Sequence, residues 1–252
     1  MKTCLSLIGA AVFALALRCV PARAAGLPNV SPEATRLIDQ SCSALGSANA
    51  FSFHAEILFD QVLPSAVKVQ FAGAMDFALQ RPDEIAVDYR SDLGAKQVWY
   101  KGSTLTIFDP AKDMYATAAV PTTIDAMINQ VAEEKHLTIP LSDLAYTDPC
   151  APFRKKVTYG AYIGRGDVNG VECDHVALSG PQADLQLWLD RTGKPVPRKI
   201  VINYRTRPGS PEYIAVLSDW KFPGAFPASR FSPQIPKNAV KIDFLSNKET
   251  PR

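Results

Sequence analysis

Histidine and cysteine are scarce in this 252-residue chain, with three of the former and five of the latter. His54, His136 and His175 form no HxH or HExxH pattern, and no cysteine pair has CxxC spacing, so the usual zinc motifs are excluded. Charge of one sign is also missing: 27 Lys and Arg face 25 Asp and Glu, a formal net of +2. There is no Lys/Arg run and no basic patch interleaved with aromatics, which argues against a nucleic-acid partner. Glycine (14) is outnumbered by proline (20), a balance that speaks for many turns and against a mostly helical protein. The uncharged apolar stretch "CLSLIGAAVFALAL" (residues 4–17) falls short of the roughly 20 residues that a membrane-spanning helix needs.

That stretch fits a different role. Lys2 precedes it, and "PARAA" (residues 21–25) follows with Ala22-Arg23-Ala24 as a small-x-small cleavage site. This is the three-part grammar of a secretory signal peptide. The expectation is a signal peptide over 1–24, cleaved after Ala24, and a single domain over 25–252. Cys19 invites a lipid-anchored reading, but the charged Arg18 beside it is a poor match for lipidation. Removing 1–24 takes away Lys2, Arg18 and Arg23 and leaves 24 basic against 25 acidic residues, a formal −1. Cys42, Cys150 and Cys173 remain. In an oxidising compartment two of them would pair and leave one thiol, and the sequence does not choose among the three pairings.

What is present is periodicity. "SPEATRLIDQSCSALG" offers Ser31 as N-cap, Pro32 at the first helical position and Gly46 as a stop, with Ala34, Leu37, Ile38 and Leu45 on one stripe. The period then becomes two: Phe51, Phe53, Ala55, Ile57 and Phe59 alternate with Ser52, His54, Glu56 and Asp60. Residues 67–79 repeat the alternation with Val67, Val69, Phe71, Gly73, Met75, Phe77 and Leu79. Short strands are expected over 84–89, 96–101, 104–109 and 113–117, separated by turn residues. A second helix begins near Thr122, which with Asp125 resembles a capping box, and carries the stripe Ile124, Met127, Ile128 and Val131. "LSDLAYTDPC" is expected to add a helical turn. Strands resume over 157–165, 171–179, 184–190, 198–206 and 213–222, the first two joined through Asn169-Gly170. The proline-rich tail from Pro223 reads as extended, with one last edge strand in "NAVKIDF".

Consecutive strands without crossover helices pair antiparallel. The fold class expected is therefore α+β, mainly antiparallel: a curled sheet or half-barrel of about ten strands, with helices covering its concave face. Beyond this pattern, "GRGDVNGVECDHVAL", "DLQLWLDRTGKPVPRKIVINY" and "YIAVLSDWKF" resemble an uncharacterised family of predicted periplasmic bacterial proteins, within the LolA/LolB-like lipoprotein-carrier superfamily. The resemblance spans about residues 30–245. It implies a LolA-like fold and a periplasmic address, and it brings no catalytic residue with it.

Reactive groups are few. Cys173-Asp174-His175 is the most tempting triplet, for nucleophilic or metal chemistry. On a strand, however, Cys173 and His175 share one face while Asp174 takes the other, and a structural or disulfide role outweighs both. His54 on a polar strand face and His136 near a helix end also read as structural. "GAYIGRG" lacks the following helix of a phosphate loop. No metal and no cofactor is expected. The hairpin of residues 184–204, for all its charges, reads as scaffold.

The apolar strand faces carry the functional expectation. Phe51, Phe53, Ile57, Phe59, Val69, Phe71, Met75 and Phe77 would line the concave side, with Ile124, Met127, Ile128 and Val131 on a helix acting as plug or lid. The plain alternative is that these residues are simply core. The expected function is sequestration of a hydrophobic ligand, an acyl lipid or a lipidated partner such as a lipoprotein. The rivals are an envelope interaction or sensor protein engaging another polypeptide and, last, an enzyme using Cys173 or His175. Oligomeric state and ligand identity are not legible.

Overall fold

The computed structural model describes residues 29–135 and 141–244. The expected signal peptide and His136 lie outside the described residues. Ser31 starts α1 (Pro32–Gly46): its hydroxyl accepts from the Ala34 N–H at 3.2 Å, and Pro32 sits in the first turn, where no N–H is needed. A meander follows, made of β1 (Ala50–Val62), β2 (Lys68–Gln80), β3 (Glu84–Ser91), β4 (Gly94–Lys101), β5 (Thr104–Asp109) and β6 (Met114–Ala119). Next come α2 (Ile124–Lys135), a 3-10 turn at Ser142–Ala145 and α3 (Ala151–Lys156). The second meander comprises β7 (Tyr159–Val168), β8 (Val171–Ser179), β9 (Asp184–Asp190), β10 (Pro197–Asn203) and β11 (Glu212–Lys221). A 3-10 turn at Ala228–Phe231 and the two-residue β12 (Val240–Lys241) complete it.

All twelve strands belong to one sheet, in the order β12-β6-β5-β4-β3-β2-β1-β11-β10-β9-β8-β7. The two meanders join where β1 pairs antiparallel with β11, and the sheet is open because its edges are different strands. Among the named strands only β12 pairs parallel, with β6, and an isolated parallel bridge joins Val30 to Gly160. Twelve strands replace the ten or so expected, and α3 was not foreseen. The cap of α2 also differs: the Ala126 N–H donates to the Thr123 hydroxyl at 3.3 Å, while Asp125 accepts from the Thr147 N–H at 2.9 Å. Thr123, rather than Thr122, therefore starts this helix, and Asp125 ties it to the chain beyond.

Register explains the core. Leu185, Ile202, Tyr213, Phe59 and Phe71 stand opposite one another along a row across β9, β10, β11, β1 and β2. Leu187, Ile200, Ala215 and Ile57 form the neighbouring row on the same face. This inner face shares one buried cluster with Leu37 and Leu45 of α1 and with Ile124, Met127 and Ile128 of α2. The outer face has a smaller cluster. Ala78, Ala86, Trp99 and Phe108 are covered by Phe231, with Phe226, Ile235 and Ala239 packed around it. The tail is thus a strap across the back of the sheet, its anchor Phe231 fully buried.

A bulge re-aims β11. Ser52 pairs with Lys221 and His54 with Ser218, so two residues of β11 oppose Phe53 alone. Asp219 takes φ of 51° to accommodate the extra residue, and Trp220 turns inward onto Phe53, ring centroids 4.7 Å apart.

Candidate ligand-binding groove

A groove of about 510 Å³ lies between α1 and the inner face of the second meander. Its floor is Leu178, Leu185, Leu187, Ile200 and Ile202, alternate residues of β8, β9 and β10 that the strand period delivers to one side. Ile38 and Leu45 of α1 form the roof, and Leu141 and Leu144 one wall. Volume and lining match the ordinary range for small-molecule sites, about 300–1,000 Å³ and mostly apolar.

The roof is held in three ways. A disulfide links Cys42 of α1 to Cys150, with Cα atoms 5.6 Å apart. The Arg81 guanidinium donates to the carbonyls of Ala48, Ala145 and Tyr146 at 3.2, 3.1 and 2.9 Å, binding the chain after α1 to the wall. Burial lowers the Arg81 pKa, against the pull of Asp125. At the other end of α1, the Ser31 N–H donates to Gly160 O at 2.8 Å and the Gly160 N–H to Asn29 O at 3.1 Å. A Cβ at Gly160 would sit 2.8 Å from both Val30 and Leu178, so this contact requires glycine.

Lys155, Lys156, Thr206 and Arg207 also line the groove, together with Asp143 and Tyr204. Burial pushes the Asp143 carboxyl up, and Lys156 opposes that shift. Burial likewise raises the Tyr204 phenol, while the Arg207 guanidinium, 4.2 Å from the ring centroid, pulls it down. Three cations around an apolar interior suit a ligand with a greasy body and an anionic end.

The twelve residues singled out by the sequence occupy the neighbouring part of the inner face, and none lines this groove. Phe51, Phe53, Ile57, Phe77, Ile124, Met127 and Ile128 are buried core, whereas Phe59, Val69, Phe71, Met75 and Val131 are half-buried. They are not remote: Phe59 and Phe71 stand on the same cross-strand row as Leu185 and Ile202. The wall beside the groove comes from the chain after α2, not from α2 itself. Leu178, Leu185, Leu187, Ile200 and Ile202, which sequence reasoning does not single out, carry the same alternation on strands with more charged residues.

Asp190 and Arg198 of the second meander hold the β9–β10 turn together. Asp190 accepts from the Thr192 and Gly193 N–H groups at 2.7 and 3.0 Å and from two Arg198 nitrogens at 2.8 and 2.7 Å. Burial alone would raise this carboxyl, but the Arg198 and Thr192 bonds outweigh it and the pKa falls. Among the described residues Cys173 is the free cysteine, fully buried, its thiol pushed up to about 11 by burial first and by Asp190 second. His175 stacks on Trp188 at 4.0 Å between ring centroids, and its Nε2 pairs with Gln186 Oε1 at 3.0 Å. Burial lowers its pKa. A protonated thiol beside a stacked, neutral imidazole is a poor nucleophile and base. No group of three or more metal-ligating side chains occurs among the described residues.

Residues 34–245 match the family described as "Predicted periplasmic protein (DUF2092)". The chain belongs to that family. The periplasmic address expected from the sequence is the one this family carries, and no helix of the described residues is long and apolar enough to cross a membrane. No curated protein matches the chain. Among solved structures it is similar to LprF of Mycobacterium bovis, with TM-score 0.48 and 15% identity over 84% of this chain and 99% of that one. It is also similar to lipoprotein LppX of Mycobacterium tuberculosis, with TM-score 0.45 and 12% identity over 76% and 97%. A third is the LolA superfamily protein NE2245 of Nitrosomonas europaea, with TM-score 0.40 and 11% identity over 79% and 97%.

Proposed function

We propose that this protein is a periplasmic carrier that sequesters an apolar chain, an acyl lipid or the lipid of a lipidated partner, in the groove beneath α1. The observation that carries this reading is the groove itself: a mainly apolar cavity of about 510 Å³ on the inner face, with Lys155, Lys156 and Arg207 among its lining residues. Each methylene buried there contributes about 0.8 kcal/mol, so chain length alone supplies useful affinity. The half-buried Phe59, Val69, Phe71 and Met75 extend the apolar surface for a longer chain. The mechanism is sequestration, with no bond made or broken.

The test uses the mature chain from residue 25, a fluorescent fatty acid such as cis-parinaric acid, and an Ala183→Trp variant that fills the half-buried rim. Saturable uptake by the parent and about tenfold weaker uptake by Ala183→Trp, with thermal midpoints alike, is the expected result. No uptake by the parent, or equal uptake by both, overturns the reading and leaves polypeptide binding on the sheet as the better account.

A further inference from the structure

The outer face holds a second cavity, of about 490 Å³, where Arg230 of the tail strap meets β1, β2, β3, β4 and the end of β11. Two of its lining residues are almost completely buried: Ser52 and Trp99 are each 8% exposed. Neither the Ser52 hydroxyl nor the Trp99 indole N–H makes a hydrogen bond among the described residues. Both groups line the cavity with their hydrogen-bonding capacity unused, so a ligand there meets them without displacing a protein partner.

The charges around them are unevenly committed. Asp76 holds the His54 ring nitrogen at 2.8 Å, while Asp88 accepts from Gln97 at 3.1 Å and pairs with Arg90 at 3.5 Å. Lys221 and Arg230, by contrast, have no carboxylate within 4.0 Å among the described residues. The uncommitted donors of the cavity are an indole N–H, a hydroxyl, an ammonium and a guanidinium. One carboxylate is nearly free, that of Asp219, which has a single long contact of 3.4 Å with the Ser218 hydroxyl. The β11 bulge sets it there, at the cost of a positive φ for a non-glycine residue.

We propose that this cavity binds a small hydroxylated anion, the chemistry of an acidic sugar or a hydroxy acid. Its carboxylate or phosphate lies between Lys221 and Arg230. Further oxygens accept from Trp99 and Ser52, and a hydroxyl donates to Asp219. The site stands on the opposite face of the sheet from the groove and does not depend on what the groove binds.

Calorimetric titration of the mature chain with D-glucuronate, glucose 6-phosphate and neutral glucose tests this. One or both anions bind saturably, and glucose binds at least about tenfold more weakly. The double variant Lys221→Ala/Arg230→Ala loses about tenfold or more in affinity for the anion, and Trp99→Phe, which keeps an aromatic six-membered ring but loses the N–H with the rest of the indole, loses severalfold. Fatty-acid uptake stays at the parental level in both variants, and the thermal midpoint does so in the double variant. Absence of saturable binding by either anion, equal affinity for glucose, or an unchanged affinity in the double variant overturns the proposal.

Discussion

Cys42 of α1 is bonded to Cys150, which immediately precedes α3, across 108 residues of sequence. The bond ties the roof of the groove to its side wall. Closing a loop of that length in the unfolded chain is worth about 4–5 kcal/mol in the chain-entropy view, and measured values are commonly about 2–4. Replacing both cysteines by serine is expected to lower the unfolding free energy by about 2–4 kcal/mol in a urea titration. Fatty-acid exchange should quicken as well, because the roof loses its tether. Ellman titration of the mature chain should find Cys173 unreactive when folded and one thiol per chain when unfolded.

Arg81 performs a related task without covalent chemistry. Its guanidinium satisfies carbonyls at Ala48, Ala145 and Tyr146, places where helix and turn ends leave acceptors unpaired. Arg81→Ala strands those acceptors and is expected to cost about 2–4 kcal/mol. Arg81→Lys keeps the charge but not the planar fork, so it should recover only part of the loss. Equilibrium denaturation of the three proteins, with the slope held common, checks the ranking.

Much of this architecture was legible because it is written in short-range periods. Alternation located β1 to β11, and capping residues located α1. The long-range facts were not legible, for a physical reason. That β1 pairs with β11, residues more than 150 apart as in Phe59 and Tyr213, depends on which apolar faces meet, and alternation is the same whichever strand is the neighbour. The sequence left the cysteine pairing open because Cα separation decides it. The groove was expected beside the phenylalanine-rich strands. Those side chains are large enough to fill the space under α2, whereas the leucines and isoleucines of β8 to β10 leave room below α1.

The tail gives a test that leaves the groove alone. Phe231 is fully buried against Ala78, Ala86, Trp99 and Phe108 on the outer face. Phe231→Ala is expected to cost about 3–5 kcal/mol, the range for a large aromatic removed from a packed site. Limited proteolysis should then cut within the strap first, while fatty-acid binding at the inner face keeps the parental affinity at temperatures where the sheet is folded.

His54 sets a pH dependence whose sign follows from its partners. Its Nδ1 lies 2.8 Å from Asp76 Oδ1 and its Nε2 lies 3.1 Å from Glu56 Oε1, so both ring nitrogens face carboxylates. The Asp76 bond first and the Glu56 bond second hold the imidazolium and raise its pKa, outweighing burial. A group bound more tightly to its proton when folded stabilises fully below its unfolded pKa, near about 6.5, and that contribution is lost as pH rises through the folded value. Glu56 is largely exposed, so solvent screening keeps the effect below about 1 kcal/mol. His175 acts with the opposite sign: burial lowers its pKa, so its penalty comes on acidification, below the ordinary histidine range. The two windows are therefore separable. Urea midpoints should decline modestly from about pH 6 to about pH 9, and His54→Gln should flatten that decline. Raising the salt concentration should shrink it, since partly exposed charges are screened. An unchanged slope in His54→Gln would place the titration elsewhere.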